Sequence, residues 1–164
     1  MWLYDRGPVL YRQTRVGMNG RLFTIIKFRT MYPHAESALG AIWSVPNDPR
    51  CTTIGYYLRR SGLDELPQLW NILLGDMSMV GPRPERPEFT REFSREYPDY
   101  NRRYSVRCGL TGYAQICGWR GYTSLEERLR HDLHYIRHWS LGLDAYIVVA
   151  TLLRGWSERK RSGV

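Results

Sequence analysis

The tetrapeptide Gly17-Met18-Asn19-Gly20, set between residues 9–16 and 22–31, constrains this fold more than any other stretch. Both flanking runs are rich in β-branched and aromatic residues, and Asn-Gly supplies the positive φ angles that a tight hairpin needs. The chain is therefore expected to open with an antiparallel β-hairpin. Lys27 and Arg29 lie two positions apart in its second strand, so both cations leave the same face. Either they blunt a sheet edge or they meet a charged ligand.

At 164 residues the chain suffices for one domain with its own core. A formal net charge of +8 points to anionic partners: nucleic acid, nucleotide, phospholipid headgroup or phosphorylated lipid. Cys51, Cys108 and Cys117 form no C-x-x-C pair, which fits a reducing compartment and argues against zinc or a disulfide framework. The N-terminus has no apolar signal-peptide core. The longest apolar run, residues 145–153, covers about half of the roughly 20 residues that a bilayer crossing needs.

Residues 33–49 read as an irregular connection with a short helix over 35–43 between its prolines. Residues 54–60 fit a short helix or strand leading to the adjacent acids Asp64 and Glu65. Pro67 sets the register of the helix beyond them. With Ser61 as N-cap it would fall in a helix interior at a cost of about 3 kcal/mol, whereas with Asp64 as N-cap it falls in the tolerant first turn. Leu66, Leu69 and Leu73 then form an apolar stripe, and Gly75 ends the helix. Thr123 and Ser124 precede Glu126 and Glu127 at capping-box spacing, predicting a helix over 125–138 with Leu125, Leu129, Leu133 and Ile136 on one face. A more apolar helix begins after Ser140, runs to Leu153 and stops at Gly155. A basic tail over 156–164 closes the chain.

Asp64 and Glu65 admit two readings. They can favour a helix start, or they can hold a metal and attack phosphorus. Arg59 and Arg60 lie just upstream, and Arg83 is held between Pro82 and Pro84, where a guanidinium loses little entropy on gripping a phosphate. The glycines of Gly109-Leu110-Thr111-Gly112 and Gly118-Trp119-Arg120-Gly121 permit close backbone approach to a ligand. His131, His134 and His138 share a helical face, but no H-E-x-x-H pattern accompanies them and a solvated face accounts for them.

Five ordered blocks together resemble the bacterial sugar transferase family of monotopic polyprenyl-phosphate phosphoglycosyl transferases: Gly7-Pro8-Val9-Leu10-Tyr11-Arg12-Gln13, Lys27-Phe28-Arg29-Thr30-Met31, residues 63–71, residues 75–85, and Gly109-Leu110-Thr111-Gly112-Tyr113-Ala114-Gln115. The likeness spans residues 7–155, taken as the catalytic domain. It implies an α+β fold at the membrane interface, an N-terminal β-hairpin packed with several short and amphipathic helices.

The resemblance makes Asp64 the nucleophile on the sugar-linked phosphorus of a UDP-sugar, expelling UMP and leaving an aspartyl-phosphosugar that a polyprenyl phosphate captures. Mg²⁺ is the implied cofactor, held by Glu65 with Asp64. Arg59, Arg83, Lys27 and Arg29 match phosphate-binding positions, and Gln115 and Arg120 are candidate nucleotide-sugar contacts. The Gly118-Trp119-Arg120-Gly121 stretch looks like exopolysaccharide-initiating members, which points to UDP-glucose or UDP-galactose. The implied location is the cytoplasmic face of a bacterial inner membrane, and no nucleic acid is expected as partner.

The family usually carries a hydrophobic re-entrant helix before the Gly-Pro-Val block, and only six residues stand there. The expectation is a truncated chain or one that relies on amphipathic helices such as residues 141–153. Gly62, Cys108 and Cys117 also depart from the residues common at those positions. The competing readings are a basic nucleic-acid-binding module and an inactive transferase fragment serving as a partner.

Overall fold

A computed structural model describes residues 7–33, 35, 48–121 and 123–161, with side chains to Leu153. The helix expected over 35–43 and most of its connection lie outside the described residues. Strands β1 (Leu10–Val16) and β2 (Leu22–Phe28) pair antiparallel, with Tyr11 opposite Lys27 and Val16 opposite Leu22. Asn19 and Gly20 take φ of 56° and 76° in the connecting turn, as the Asn-Gly signal requires.

Helix α1 (Thr53–Ser61) starts on Thr52, whose hydroxyl accepts from the Gly55 amide, and ends on Gly62 at φ 71°. It presses closely on the end of the hairpin. A Cβ at Gly55 would lie 1.9 Å from the Thr30 carbonyl oxygen, so only glycine allows this contact. A 3₁₀ turn (Leu63–Glu65) and helix α2 (Gln68–Leu73) come next.

Here the expected register is corrected. Gly62, not Asp64, caps the 3₁₀ turn, and Pro67 caps α2. Pro67 still avoids the helix interior, because its missing N–H falls where no intrahelical bond is due. Gly75, at φ 81°, ends α2 as expected. Its amide donates to Ile72 and that of Asp76 to Asn71, the paired bonds of a Schellman cap.

Strands β3 (Met77–Val80) and β4 (Cys108–Thr111) form a separate parallel pair that the sequence did not signal. Between them run α3 (Pro87–Glu96) and a 3₁₀ segment (Tyr100–Ser105). A Cβ at Gly109 would stand 2.1 Å from the Gly81 nitrogen and one at Gly112 2.3 Å from the Gly81 oxygen. Those glycines were expected to admit a ligand, and they instead let the chain after β3 lie against β4.

Helices α4 (Tyr113–Ile116), α5 (Leu125–Arg137) and α6 (Leu141–Arg161) complete the α+β fold. Ser124 caps α5, accepting from Glu127, within the predicted box. The stop at Gly155 is not observed, since α6 continues to Arg161. An interior glycine costs a helix only about 1 kcal/mol and need not break it. No described helix is long and apolar enough to cross a membrane.

Two cores hold these layers together. Val16, Phe93, Tyr100, Tyr104, Cys108 and Leu129 fill one, and Val80, Ile116, Tyr135 and Ile147 fill the other. Leu129 thus reaches the core with Leu125 and Leu133 packed beside it, whereas Ile136 joins the second cluster. All three cysteines are free, and burial pushes the Cys108 thiol up to about 12, which makes it a packing residue.

Candidate active site

Three segments meet at the acidic pair: the end of β2, the 3₁₀ turn after α1, and the stretch from Gly81 to Glu85 after β3. Their side chains form an alternating charge cluster. Lys27 Nζ donates to Glu65 Oε1 at 2.8 Å, and Arg83 grips the same carboxylate with both terminal nitrogens, at 2.5 Å to Oε1 and 3.3 Å to Oε2. Burial by itself would raise the Glu65 carboxyl, but Arg83 and Lys27 outweigh it and hold the pKa well below the carboxylate range. Glu65 is therefore an anion at any physiological pH.

Asp64 differs from its neighbour in both respects. It is buried, at 8% exposure, yet its carboxylate has no hydrogen-bond partner among the described residues. Burial and the adjacent Glu65 charge raise its pKa, while Lys27, Arg83 and Arg59 pull it down less strongly. A carboxylate without hydrogen bonds keeps its lone pairs for a reacting atom or a metal, whereas the Glu65 pairs are largely spent on two cations.

The cluster rests on a second layer of buried charge. Arg103, fully buried, donates to the backbone oxygen of Arg83 at 2.9 Å, to the Tyr100 hydroxyl at 2.6 Å and to Asp132 at 2.7 Å. Arg15 donates to the Pro84 oxygen at 3.2 Å, and Arg128 pairs with Glu85 at 2.9 Å. The Val16 amide also donates to the Glu85 oxygen at 2.9 Å, which ties the hairpin to this segment. The backbone from Arg83 to Glu85 is thus anchored by groups from β1 and the 3₁₀ segment, and the Glu85 side chain is held from α5. None of these was singled out from sequence. Arg128 and Asp132 stand four apart beside the Leu129 face of α5, a spacing that could have flagged inward charges.

Of the expected site residues, Lys27, Asp64, Glu65 and Arg83 come together. Arg59 lies at the edge, its Nε donating to the Thr30 hydroxyl at 2.8 Å and its charge felt at Asp64. Arg29 is buried at the open end of the hairpin, where it donates to the Pro8 oxygen at 2.6 Å and to the Met31 oxygen at 3.3 Å. Gln115 lies on α4, its amide nitrogen reaching the Leu110 oxygen at 3.4 Å, and Arg120 is exposed beyond Gly118. His134 stacks between Tyr113 and His138, a set of surface rings, and no metal-holding group of three or more His, Cys, Asp or Glu occurs among the described residues.

The turn and helix that carry the acids are inverted. Asp64, Gln68 and Asn71 point inward, while Leu63, Leu66, Leu69, Trp70, Leu73 and Leu74 are exposed. The stripe predicted for this helix exists, but it faces away from the protein. Asn71 holds the helix to the hairpin by accepting from the Ile26 amide at 3.1 Å and donating to the Thr24 oxygen at 2.8 Å.

An unbonded carboxylate thus stands beside a cation-neutralised one, on a turn whose outer face is apolar and next to the anchored Arg83 segment. Residues 1–158 match the bacterial sugar transferase family, and the chain belongs to it. Among curated relatives, it is 44% identical over 152 residues to the UDP-glucose:undecaprenyl-phosphate glucose-1-phosphate transferase of Xanthomonas campestris pv. campestris, covering 90% of this chain and 31% of that protein. It is 42% identical over 164 residues to the UDP-N-acetylgalactosamine-undecaprenyl-phosphate N-acetylgalactosaminephosphotransferase of Aeromonas hydrophila, covering 96% of this chain and 38% of that one. The chain spans about a third of the length of most of these relatives.

Proposed function

We propose that the protein transfers a sugar 1-phosphate from a UDP-sugar to a polyprenyl phosphate, with Asp64 as the nucleophile. The observation that carries this reading is the contrast within the acidic pair: Glu65 is locked in place by Lys27 and Arg83, and Asp64 is buried, adjacent and unbonded. Family membership and the two relatives' substrates support it.

In the first step a carboxylate oxygen of Asp64 bonds to the sugar-linked phosphorus. The bond from that phosphorus to the bridging oxygen breaks, and its electron pair leaves with UMP. In the second step a phosphate oxygen of the polyprenyl phosphate attacks the same phosphorus and Asp64 departs as a carboxylate. Neither step needs a general base when Asp64 and the polyprenyl phosphate attack in their ionised forms, and Lys27, Arg83 and Arg59 favour that form of Asp64. Splitting the transfer in two lets two bulky substrates use one phosphate position in turn. Lys27, Arg83 and Arg59 offset the charge of the incoming phosphates, and the anchored backbone around Arg83 keeps that guanidinium from reorganising during the reaction.

The donor set fits Mg²⁺. Asp64 and the less occupied Oε2 of Glu65 would hold it, with substrate phosphates and water completing the shell, as this ion usually requires. It would supply charge neutralisation on the phosphoryl oxygens.

The exposed leucines and Trp70 suit a lipid surface, where a polyprenyl phosphate presents its headgroup beside the acids. That surface is the cytoplasmic leaflet of the bacterial inner membrane, and the product is a lipid-linked sugar that starts a glycan repeat unit. The test is UMP release from UDP-glucose, UDP-galactose and UDP-N-acetylgalactosamine with detergent-dispersed undecaprenyl phosphate and Mg²⁺. Wild type should release UMP and retain a covalently bound phosphosugar when acceptor is withheld, and Asp64→Asn should do neither. Full activity in that variant would exclude the mechanism.

A further inference from the structure

Arg59 is the one cation of the proposed site that reaches the acids from α1, and a buried hydroxyl holds it. Thr30, two residues past the end of β2 and 7% exposed, accepts from Arg59 Nε at 2.8 Å. The half-buried arginine has more than one anion within electrostatic reach, since its charge acts on Asp48 as well as on Asp64. A long side chain so placed needs something to fix its direction.

The hydroxyl is itself fixed. The Thr30 carbonyl oxygen accepts from the Thr52 amide at 3.0 Å and lies against Gly55, which leaves no room for a side chain there. Gly55 and Arg59 are four apart on α1, so the helix face that presses on Thr30 also carries the arginine. Threonine is stiff at χ1, and its oxygen has little freedom once the backbone is held. Nε is the nitrogen at which the planar guanidinium joins its stem, so a bond there orients the fork and both terminal nitrogens.

We infer that Thr30 is a positioning residue, whose hydroxyl keeps the Arg59 guanidinium directed to the phosphates of the nucleotide sugar. The inference rests on the transferase reading above. Thr30 acts only through Arg59. An arginine already oriented loses less conformational freedom on meeting a phosphate, so removing the hydroxyl should weaken the handling of substrate while leaving the acids in place.

The test is a double-mutant cycle read as kcat/KM for UMP release from UDP-glucose or UDP-N-acetylgalactosamine. Thr30→Val keeps the shape and loses the acceptor, and it should lower kcat/KM about tenfold, the low end for a hydrogen bond to a charged group. Thr30→Ser keeps the hydroxyl and should recover most of that loss. In an Arg59→Ala background Thr30→Val should add no more than about a twofold change, the scatter of independent measurements, because its partner is already gone. A threonine that serves only the fold would carry its full loss into that background, and this outcome overturns the inference. So does full activity in Thr30→Val, or a Thr30→Ser variant as impaired as Thr30→Val. Should Thr30→Val not fold, Thr30→Ala takes its place in both backgrounds. If Arg59→Ala turns over too slowly to measure, the same cycle is read as calorimetric affinity for the two UDP-sugars. If wild type releases no UMP, the transferase reading itself fails. Affinity then decides on Thr30 alone, and equal affinity of wild type and Thr30→Val, or none in either, refutes its role.

Discussion

The stretch over residues 63–74 and helix α5 are both amphipathic, and they are turned in opposite senses. In α5 the exposed positions are Glu126, Arg130, His134 and Arg137, while Leu129 and Tyr135 pack inward beside Arg128 and Asp132. In residues 63–74 the leucines and Trp70 are outside and the acid and amides are inside. The buried charges of α5 are paired and serve to fix the loop of Arg83. The buried polar groups near Asp64 are partly unpaired: Asp64 and the Gln68 side-chain nitrogen have no hydrogen-bond partner among the described residues, whereas Asn71 is engaged by the hairpin. Support and the proposed chemistry are thus divided between two elements.

Breaking the α5 side should have the largest effect. Asp132→Ala leaves the fully buried Arg103 without its carboxylate partner and should cost about 3–5 kcal/mol in denaturant unfolding. A loss below about 1 kcal/mol would show that Arg103 finds compensation elsewhere.

On the acidic side the effect should be smaller and opposite in sign. The folded-state pKa of Asp64 is raised, so its neutral form is the one the fold prefers, and the stability tied to that form is lost as pH rises through the raised value. Asn mimics the neutral form at every pH. Asp64→Asn should therefore melt above wild type at pH 7, with the gap closing below about pH 4, the ordinary range for aspartate. A variant less stable than wild type at neutral pH would contradict the burial argument.

The outer face should matter least to the fold. Leu73→Ser with Leu74→Ser should change unfolding free energy by about 0.5 kcal/mol or less, because both side chains are already exposed. The same pair should weaken sedimentation with vesicles of anionic phospholipid. Unchanged vesicle binding would remove the lipid surface as the role of that face.

Much of the fold was legible where a local rule decides the backbone. Asn19-Gly20, the Ser124 box, Gly75 and the exclusion of Pro67 from a helix interior all rest on φ preferences and missing or unsatisfied N–H groups within a few residues. The acidic pair and Arg83 could be singled out for a similar reason, since adjacent acids and a proline-framed arginine are local patterns, and the structure brings them together. The parallel β3–β4 pair was not, because each strand is short and its partner lies some thirty residues away. The glycines of β4 misled for the same reason, as their close neighbour is the backbone of Gly81. The charge of +8 survives folding, because the buried pairs Arg103–Asp132 and Arg128–Glu85 each cancel one cation against one anion.

The sequence by itself determined the hairpin, the helix limits at Gly75 and Ser124, the family, and which residue types could perform phosphoryl chemistry. Tertiary structure decided which way each amphipathic face turned and which of two adjacent acids was left open. Periodicity shows that a helix has two faces, but only packing against the hairpin turns Asp64, Gln68 and Asn71 inward. Likewise, Asp64 and Glu65 have equivalent carboxylates as a dipeptide, and they differ because Lys27 and Arg83 reach one of them from distant segments while the other is buried without a bond.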